Sequence, residues 1–239
     1  MFSLRDTLKN RKLPPGYNVT MGIVVLIGRR PASITQLRNS PCPESAFVHF
    51  KSLIPLNNNI NQFIDRQFIA MQRLFAEGNV AMLRGTSENL SGNPVLQPLQ
   101  NLDVGTCRRG ETTQEQRDLF ANRNNVGNNQ LVVYIVLTIV GVVTNPIGCA
   151  THPNGQPGAA VVVAADNWLV AHEVGHVLGL RHVCEFPTAA NPTRAVACIV
   201  GSGQSDSLMF PRSPATNVPP DLSATEYSTM QNSPFTNPC

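Results

Sequence analysis

The chain has 239 residues, of which 42% are hydrophobic and 14% charged, and its net charge at pH 7 is +3. A chain of this length can bury one sizeable core, or two small lobes that share a cleft. The slight charge, spread over scattered arginines, argues against nucleic acid or an anionic membrane as partner, and no apolar run approaches the roughly 18–20 residues that span a bilayer.

The first part of the chain predicts an arm, a strand and a helix. Residues 1–16 are polar and basic and end in a proline turn, which predicts an irregular arm. The apolar run within 17–28 predicts a strand rather than a signal-peptide core, because it lies late and leads into two arginines. Residues 29–59 predict a long connection. Apolar residues recur at helical spacing over 60–77, just before Gly78, which predicts a helix with a glycine cap.

The middle of the chain predicts two strands and a short helix. Residues 79–83 predict a second strand, and 91–110 predict a loop. Thr112 and Glu115 have the spacing of a capping box, which predicts a helix as far as about residue 122. The continuous Val/Ile/Leu run 131–143 predicts a strand that is buried on both faces at the centre of a sheet.

A loop, a strand and a helix are predicted next. His152 lies in the loop 145–157, either as a solvated loop histidine or as a contact to a substrate or a second metal. Residues 158–164 predict a short strand, and Asp166 is the predicted N-cap of a helix that begins near Asn167.

The C-terminal part predicts irregular structure and one last helix. Residues 184–220 are rich in Pro, Ser, Thr, Asn and Gly and show little periodicity. Ser223 and Glu226 form a second capping-box pair, and the helix that they open should end before Pro234.

The predicted helix after Asp166 carries the sequence HEVGHVLGLRH. His172 and His176 are four residues apart, so they project from one face of a helix and can bind one zinc ion. Glu173 follows the first histidine directly, which places its carboxylate beside the metal and in reach of a zinc-bound water. Gly179 can take a positive φ and end the helix, so that the chain swings back. His182 then supplies a third ligand and one tetrahedral position stays open, as in a catalytic site.

This HExxHxxGxxH pattern resembles that of the metzincin zinc endopeptidases. The resemblance implies an α+β, zincin-like fold in which residues 17–239 form one catalytic domain. A twisted mixed sheet with helices would make an upper subdomain, about 17–179, and an irregular lower subdomain, about 180–239, would close with the C-terminal helix. Met209, in the sequence SLMFP, would be the methionine turn beneath the three histidines and would not ligate zinc; a plain core methionine is the alternative.

The chain departs from the metzincin pattern after this methionine. Some metzincins carry a tyrosine there that contacts zinc or the transition state, whereas Phe210 and Pro211 follow here. Tyr227 is not expected to replace it. The region before the first predicted strand is also shorter than a large pro-domain. Val183, after the third histidine, matches none of the better-known subfamilies, and the cysteines soon after the motif are similar to those of pappalysin-like bacterial enzymes.

For function, the resemblance implies a monomeric zinc-dependent endopeptidase with one catalytic Zn²⁺. It would hydrolyse peptide bonds by a zinc-bound water that Glu173 assists as general base. The substrate would be a protein or peptide in extended conformation, paired with the exposed edge of the strand 158–164. Two alternatives stay open, namely a catalytically silent zinc-stabilised binding module or toxin subunit on this fold, and an amidase that acts on small non-peptide substrates.

The chain has six cysteines, widely spaced and without a C-x-x-C pair. An even number in this pattern predicts disulfides and a secreted or otherwise extracytoplasmic protein, although no clear export signal is visible. We expect bridges near the metal among Cys149, Cys184 and Cys198, and a bridge at the C-terminus through Cys239. Cys107 is either a disulfide partner or a thiolate that blocks the metal. The candidate disulfide cysteines are Cys42, Cys107, Cys149, Cys184, Cys198 and Cys239.

Overall fold

The computed structural model describes residues 43–142, 146–184, 198, 203–211 and 219–238. The strands in this part of the chain are β1 (Glu44–Ser52), β2 (Val80–Asn89), β3 (Asn101–Gly105), β4 (Leu131–Val136), β5 (Thr138–Gly141), β6 (Gly148–Cys149) and β7 (Gly158–Val162). The α-helices are α1 (Asn58–Ala76), α2 (Gln114–Phe120), α3 (Leu169–Val177) and α4 (Ala224–Gln231). The predictions that fall outside the described residues are the arm 1–16, the strand within 17–28, Cys42, Cys239 and most of the irregular segment 184–220.

Five strands form one mixed sheet in the order β2-β1-β4-β7-β6. The first four of these run parallel to one another, and β6 is antiparallel to β7. Strands β3 and β5 pair in parallel as a separate two-stranded sheet. The predicted α+β class with a mixed sheet and packed helices is therefore confirmed.

Strand β4 lies at the centre of the large sheet, as its continuous apolar sequence predicts. All six of its residues are buried, and it pairs with β1 on one side and β7 on the other. The predicted single strand 131–143 is wrong in one respect, because the chain leaves the large sheet at the exposed Leu137. The next residues form β5, which pairs with β3.

Two hydrophobic clusters lie on opposite faces of the sheet, and β4 contributes alternate side chains to both. Val133 belongs to the cluster under α1, α3 and α4, and Tyr134 to the cluster under α2, β3 and β5. Large members of the first cluster include Phe50, Phe63, Met71, Phe75, Trp168, Met209 and Met230. Those of the second include Leu53, Leu102, Leu119, Phe120 and Tyr134. The metal-motif helix α3 thus packs on the sheet from the side that holds the larger cluster.

Several strands lie where the sequence predicts connections. β1 lies within the predicted connection 29–59, and its buried His49 and Lys51 obscure the strand pattern. The predicted loop 91–110 contains β3, and the predicted loop before residue 158 contains β6. These predictions are wrong because pairing with other strands, rather than local sequence, makes these segments extended.

The helix predicted over 60–77 is confirmed by α1. The predicted helix after residue 112 is also present as α2, but its capping box lies one residue later than the pair Thr112 and Glu115. The N–H of Gln116 donates to the Thr113 hydroxyl at 3.1 Å, and the N–H of Thr113 donates to the Gln116 side chain at 2.9 Å.

Helix α4 begins at the predicted capping box, where the Glu226 N–H donates to Ser223 Oγ at 3.3 Å. Met230 is fully buried on its inner face. The Tyr227 ring lies on Gly78, where any added Cβ would overlap the ring. The last helix is therefore held against the end of α1. None of the described helices combines the length and the apolar character that a membrane span requires.

Candidate metal centre

Helix α3 begins two residues later than predicted, and its cap comes from another helix. Asp166 is not its N-cap; its carboxylate accepts the Trp168 N–H at 2.6 Å, before the helix begins. The first-turn N–H of Val170 donates instead to Gln67 Oε1 at 3.0 Å, and Gln67 Nε2 donates to the Asp166 carbonyl. Gln67 is fully buried on α1. It lies 103 residues from Val170 in the chain, so no local sequence signal indicates this role.

The three motif histidines converge on one point. Nε2 of His182 lies 3.0 Å from Nε2 of His176 and 3.3 Å from Nε2 of His172. Gly179 has a φ of +108°, which is the predicted turn that ends the helix. This turn brings His182 back over the helical pair. Among the described residues, these three form the one group of His, Cys, Asp and Glu side chains with metal-binding proximity.

Backbone carbonyls fix the orientation of the two helical rings. Nδ1 of His172 donates to the Leu208 carbonyl at 2.7 Å, and Nδ1 of His176 donates to the Leu180 carbonyl at 3.0 Å. With the proton on Nδ1, the lone pair of Nε2 faces the centre of the cluster. Hydrogen bonds from Nδ1 to a carbonyl commonly fix metal-ligating histidines in this way.

Lowered pKa values favour the neutral form of all three rings, which is the form that binds a metal. Burial, together with the charge of the neighbouring His176, lowers the pKa of His172 to about 3 and that of His182 to about 4. Burial is also the main cause of the lowered pKa of His176.

The donor set fits a zinc ion. With Zn–N bonds of about 2.0–2.1 Å, tetrahedral geometry places two ligand nitrogens about 3.3 Å apart. The two observed separations, 3.0 and 3.3 Å, lie close to that value. His172 is buried whereas His182 is exposed, so the cluster faces solvent on one side.

Glu173 directly follows the first histidine of the cluster, and its side chain lies against β6 at one edge of the large sheet. Its side chain is buried, and burial raises the pKa of its carboxyl group to about 8. A Cβ added to Gly148 in β6 would lie 2.8 Å from both Cγ and Cδ of Glu173, and closer still to Oε1. The carboxyl group therefore occupies the space where a side chain of β6 would otherwise be.

Met209 lies beneath α3 and is fully buried. Its sulfur is 3.1 Å from the position that a Cβ on Gly175 would take, between the two helical histidines. The preceding carbonyl, of Leu208, accepts the His172 hydrogen bond, and the Met209 carbonyl accepts the N–H of Val183 at 3.1 Å. The turn at Met209 thus supports His172 and the segment that follows His182.

Four cysteines in the described part of the chain form two disulfides close to the motif. Cys184 pairs with Cys198, and it lies two residues after His182. Cys149 pairs with Cys107, which excludes the alternative in which Cys107 is a thiolate that blocks the metal.

His152 and Tyr227 lie apart from the histidine cluster. The His152 ring packs edge-on against Phe235, with ring centres 6.0 Å apart, and burial lowers its pKa. It is therefore neither a fully solvated loop histidine nor part of the metal-binding group. The hydroxyl of Tyr227 donates to the Leu74 carbonyl at 3.4 Å on α1, as expected for a residue that does not serve the site.

The prediction that the strand 158–164 offers an exposed edge to the substrate is wrong. β7 is covered along that edge by β6, with Gly148 opposite Val161 and Cys149 opposite Ala160. The edge strand on this side of the large sheet is β6, and its length of two residues explains why the sequence does not reveal it.

Two solved structures resemble this fold. Metalloproteinase-II from Bacteroides fragilis is 15% identical, with a TM-score of 0.49 over 80% of this chain and 54% of that one. Archaemetzincin from Methanopyrus kandleri is 13% identical, with a TM-score of 0.44 over 78% of this chain and 94% of that one. The chain thus spans about half the length of the Bacteroides protein. No curated protein sequence matches it significantly.

A family model, described as metallo-peptidase family M12B reprolysin-like, matches residues 51–235. The match spans most of the large sheet, the histidine motif and the C-terminal helix. It confirms the predicted resemblance to zinc metalloendopeptidases and the predicted class of enzyme, and the family implies a bound metal. The chain belongs to the reprolysin-like M12B family of metallopeptidases.

Proposed function

We propose that the chain is a zinc-dependent endopeptidase in which His172, His176 and His182 hold one Zn²⁺ and Glu173 is the general base. The observation that carries this proposal is the convergence of three imidazoles, two of them oriented by carbonyl acceptors, together with the buried carboxyl group of Glu173, the residue after His172. Bound zinc supplies Lewis-acid activation of water and of the scissile carbonyl group.

Glu173 carries the proton transfers. A carboxylate in a buried position is a stronger proton acceptor than one in water, and the raised pKa of Glu173 has this cause. It would accept a proton from the attacking water and then donate it to the leaving amine. Its contact with Gly148 of β6 supports this role, because a peptide bound along that edge would then pass close to the carboxyl group.

Met209 is the proposed methionine turn. Its position against Gly175, together with the bond from His172 to the neighbouring carbonyl, supports a role as the apolar base of the ligand helix. A packing role needs no metal bond from the sulfur, and it keeps the two helical rings at a fixed separation.

The substrate would bind in extended form along β6. The Val162 N–H donates to the Ile147 carbonyl at 2.9 Å, so the backbone groups of Ile147 and Cys149 face β7. Those of Gly148, between them, face the other way, because successive residues of a strand point their N–H and C=O groups to opposite sides. A peptide that pairs with Gly148 would pass directly beside Glu173.

An extracytoplasmic location is part of the proposal. The two disulfides of the described chain, Cys107–Cys149 and Cys184–Cys198, are expected to persist in an oxidising compartment. The natural substrate would then be a protein or peptide outside the cytoplasm.

Glu173→Gln tests the function, because it keeps the side-chain volume and removes the base. We expect kcat/KM on a quenched peptide library to fall by about 10²–10⁴-fold, with one zinc still bound per chain by metal analysis. Glu77→Gln, which changes an exposed acid at the end of α1, is the matched control and should retain full activity. Chelation should abolish hydrolysis, and added zinc should restore it.

Three results would contradict the proposal. Equal activity of Glu173→Gln and wild type would exclude Glu173 as the general base. A wild-type protein that binds zinc tightly and cleaves no peptide or amide would be a binding module. Cleavage of small amides without any peptide would indicate an amidase.

A further inference from the structure

The contact between Gly148 and Glu173 joins the outer strand of the sheet to the proposed base. An added Cβ at Gly148 would lie 2.8 Å from two carbon atoms of the Glu173 side chain, within the range that real Cβ atoms do not occupy. The φ of Gly148 is not positive, so the backbone conformation does not require glycine. Glycine is required instead because the Glu173 carboxyl group takes the space of a side chain at 148.

Neither backbone is free to retreat from this contact. Gly148 is paired with β7, and the next residue, Cys149, is fully buried and bonded to Cys107. On the other side, Glu173 lies on a helix whose first turn is capped by Gln67. A larger residue at 148 would therefore move the Glu173 side chain rather than the strand or the helix.

The metal ligands are independent of this contact. His172 and His176 are oriented by the carbonyls of Leu208 and Leu180, which lie outside β6. A change at Gly148 should consequently alter the position of the base and leave the zinc ligands in place.

We propose that Gly148 is a positioning residue, whose missing side chain gives the Glu173 carboxyl group the space in which it acts as general base. This inference rests on the proposed function, since it assigns to Gly148 a role in the step that Glu173 performs. Gly148 would then have two roles. Its outward backbone groups would pair with a bound peptide, and its lack of a Cβ would leave room for the base.

Gly148→Ala tests the proposal, with Gly92→Ala as the matched control. At Gly92 an added Cβ meets nothing within 4 Å, so that variant should retain wild-type kinetics. In Gly148→Ala we expect kcat to fall by about 10²-fold, the usual effect of a displacement near 1 Å. KM and the zinc content should stay near wild type, and a crystal structure should show the carboxylate moved away from β6.

A double-mutant cycle separates positioning from a general structural effect. Glu173→Ala removes Cγ, Cδ and the carboxylate oxygens, so none of the atoms that an alanine at 148 would overlap remains. Gly148→Ala should then cost much less of the residual activity in the Glu173→Ala background than it costs in wild type, giving a coupling of about tenfold or more. Equal costs in the two backgrounds, or wild-type kcat in Gly148→Ala, would overturn the proposal.

The crystal structure distinguishes this failure from failure of the proposed function. If wild type cleaves no peptide but the alanine displaces the carboxylate, the contact is real and the endopeptidase assignment is wrong. If wild type cleaves peptides and the carboxylate stays in place in Gly148→Ala, the positioning role is wrong and the function stands.

Discussion

The buried polar residues of β1 illustrate how single side chains hold the sheet together. His49 is 5% exposed. Its Nδ1 accepts the Thr86 N–H at 3.0 Å, and its Nε2 lies 3.0 Å from the side-chain oxygen of Gln130. Because Nδ1 accepts a hydrogen bond, the proton lies on Nε2, which donates to Gln130. The neutral ring thus links β2, β1 and the start of β4, and a second proton on Nδ1 would break the bond to Thr86.

The His49 network predicts a pH-dependent stability. Burial lowers the folded-state pKa of His49, with Lys51 and Arg123 as further causes, whereas in the unfolded chain the pKa stays near 6.5. The unfolded state therefore binds the proton first as pH falls, so this contribution is present above pH 6.5 and is lost below it. One proton limits the loss to about 1.4 kcal/mol per pH unit.

Urea unfolding of the zinc-loaded protein between pH 7.5 and 5 measures this effect. His49→Gln, which can hydrogen-bond but cannot titrate here, should be less stable at pH 7.5 and should lose less stability than wild type on acidification. Parallel pH profiles of the two proteins would exclude His49 as the titrating group.

Among the secondary-structure elements, the start of α3 has the most consequential long-range contact. Gln67→Leu would keep the volume and remove the acceptor of the buried Val170 N–H. Leaving a buried backbone N–H without an acceptor costs about 1–3 kcal/mol, so we expect a loss of about 1–3 kcal/mol in the free energy of unfolding.

Gln72→Leu is the matched control, because Gln72 lies on the same helix, is exposed, and makes one bond of 3.1 Å to the Met82 carbonyl. Its cost should stay below about 1 kcal/mol. Equal losses in the two variants, measured by urea unfolding, would show that Gln67 is not a cap.

Local periodicity accounts for the elements that the sequence predicts correctly. α1 carries its apolar residues on one face, and β4 is apolar at every position. Both patterns are visible without knowledge of the partner. The motif histidines belong with these, because helical spacing alone places two of them on one face.

The elements that sequence reasoning misses depend on contacts across the chain. Lys51 in β1 is 1% exposed because Glu88 in β2 pairs with it and the Asn124 carbonyl accepts a bond at 3.2 Å. From sequence alone, a lysine is assigned to the surface, because lysine is rarely buried unless it is paired. Likewise β6 is too short to show periodicity, although it contains Gly148, which contacts Glu173.

At the scale of the molecule, the two disulfides among the described residues connect two outer segments, one before α2 and one after His182, to the metal centre in different ways. Cys107–Cys149 ties the segment before α2 to β6, beside Gly148 and hence beside Glu173. Cys184–Cys198 constrains the segment that follows His182. The first should therefore affect the base, and the second should affect a metal ligand.

Removal of each disulfide tests this division. The loop entropy for separations of 42 and 14 residues corresponds to about 4 and 3 kcal/mol of stability. Cys107→Ala with Cys149→Ala should thus lose slightly more stability in urea unfolding and should lower kcat at unchanged zinc affinity. Cys184→Ala with Cys198→Ala should weaken zinc binding in competition titrations, because His182 would be held less firmly. An equal fall of zinc affinity in both double variants would contradict the division. It would mean that both disulfides hold the metal ligands, and not that Cys107–Cys149 acts on Glu173 and Cys184–Cys198 on His182.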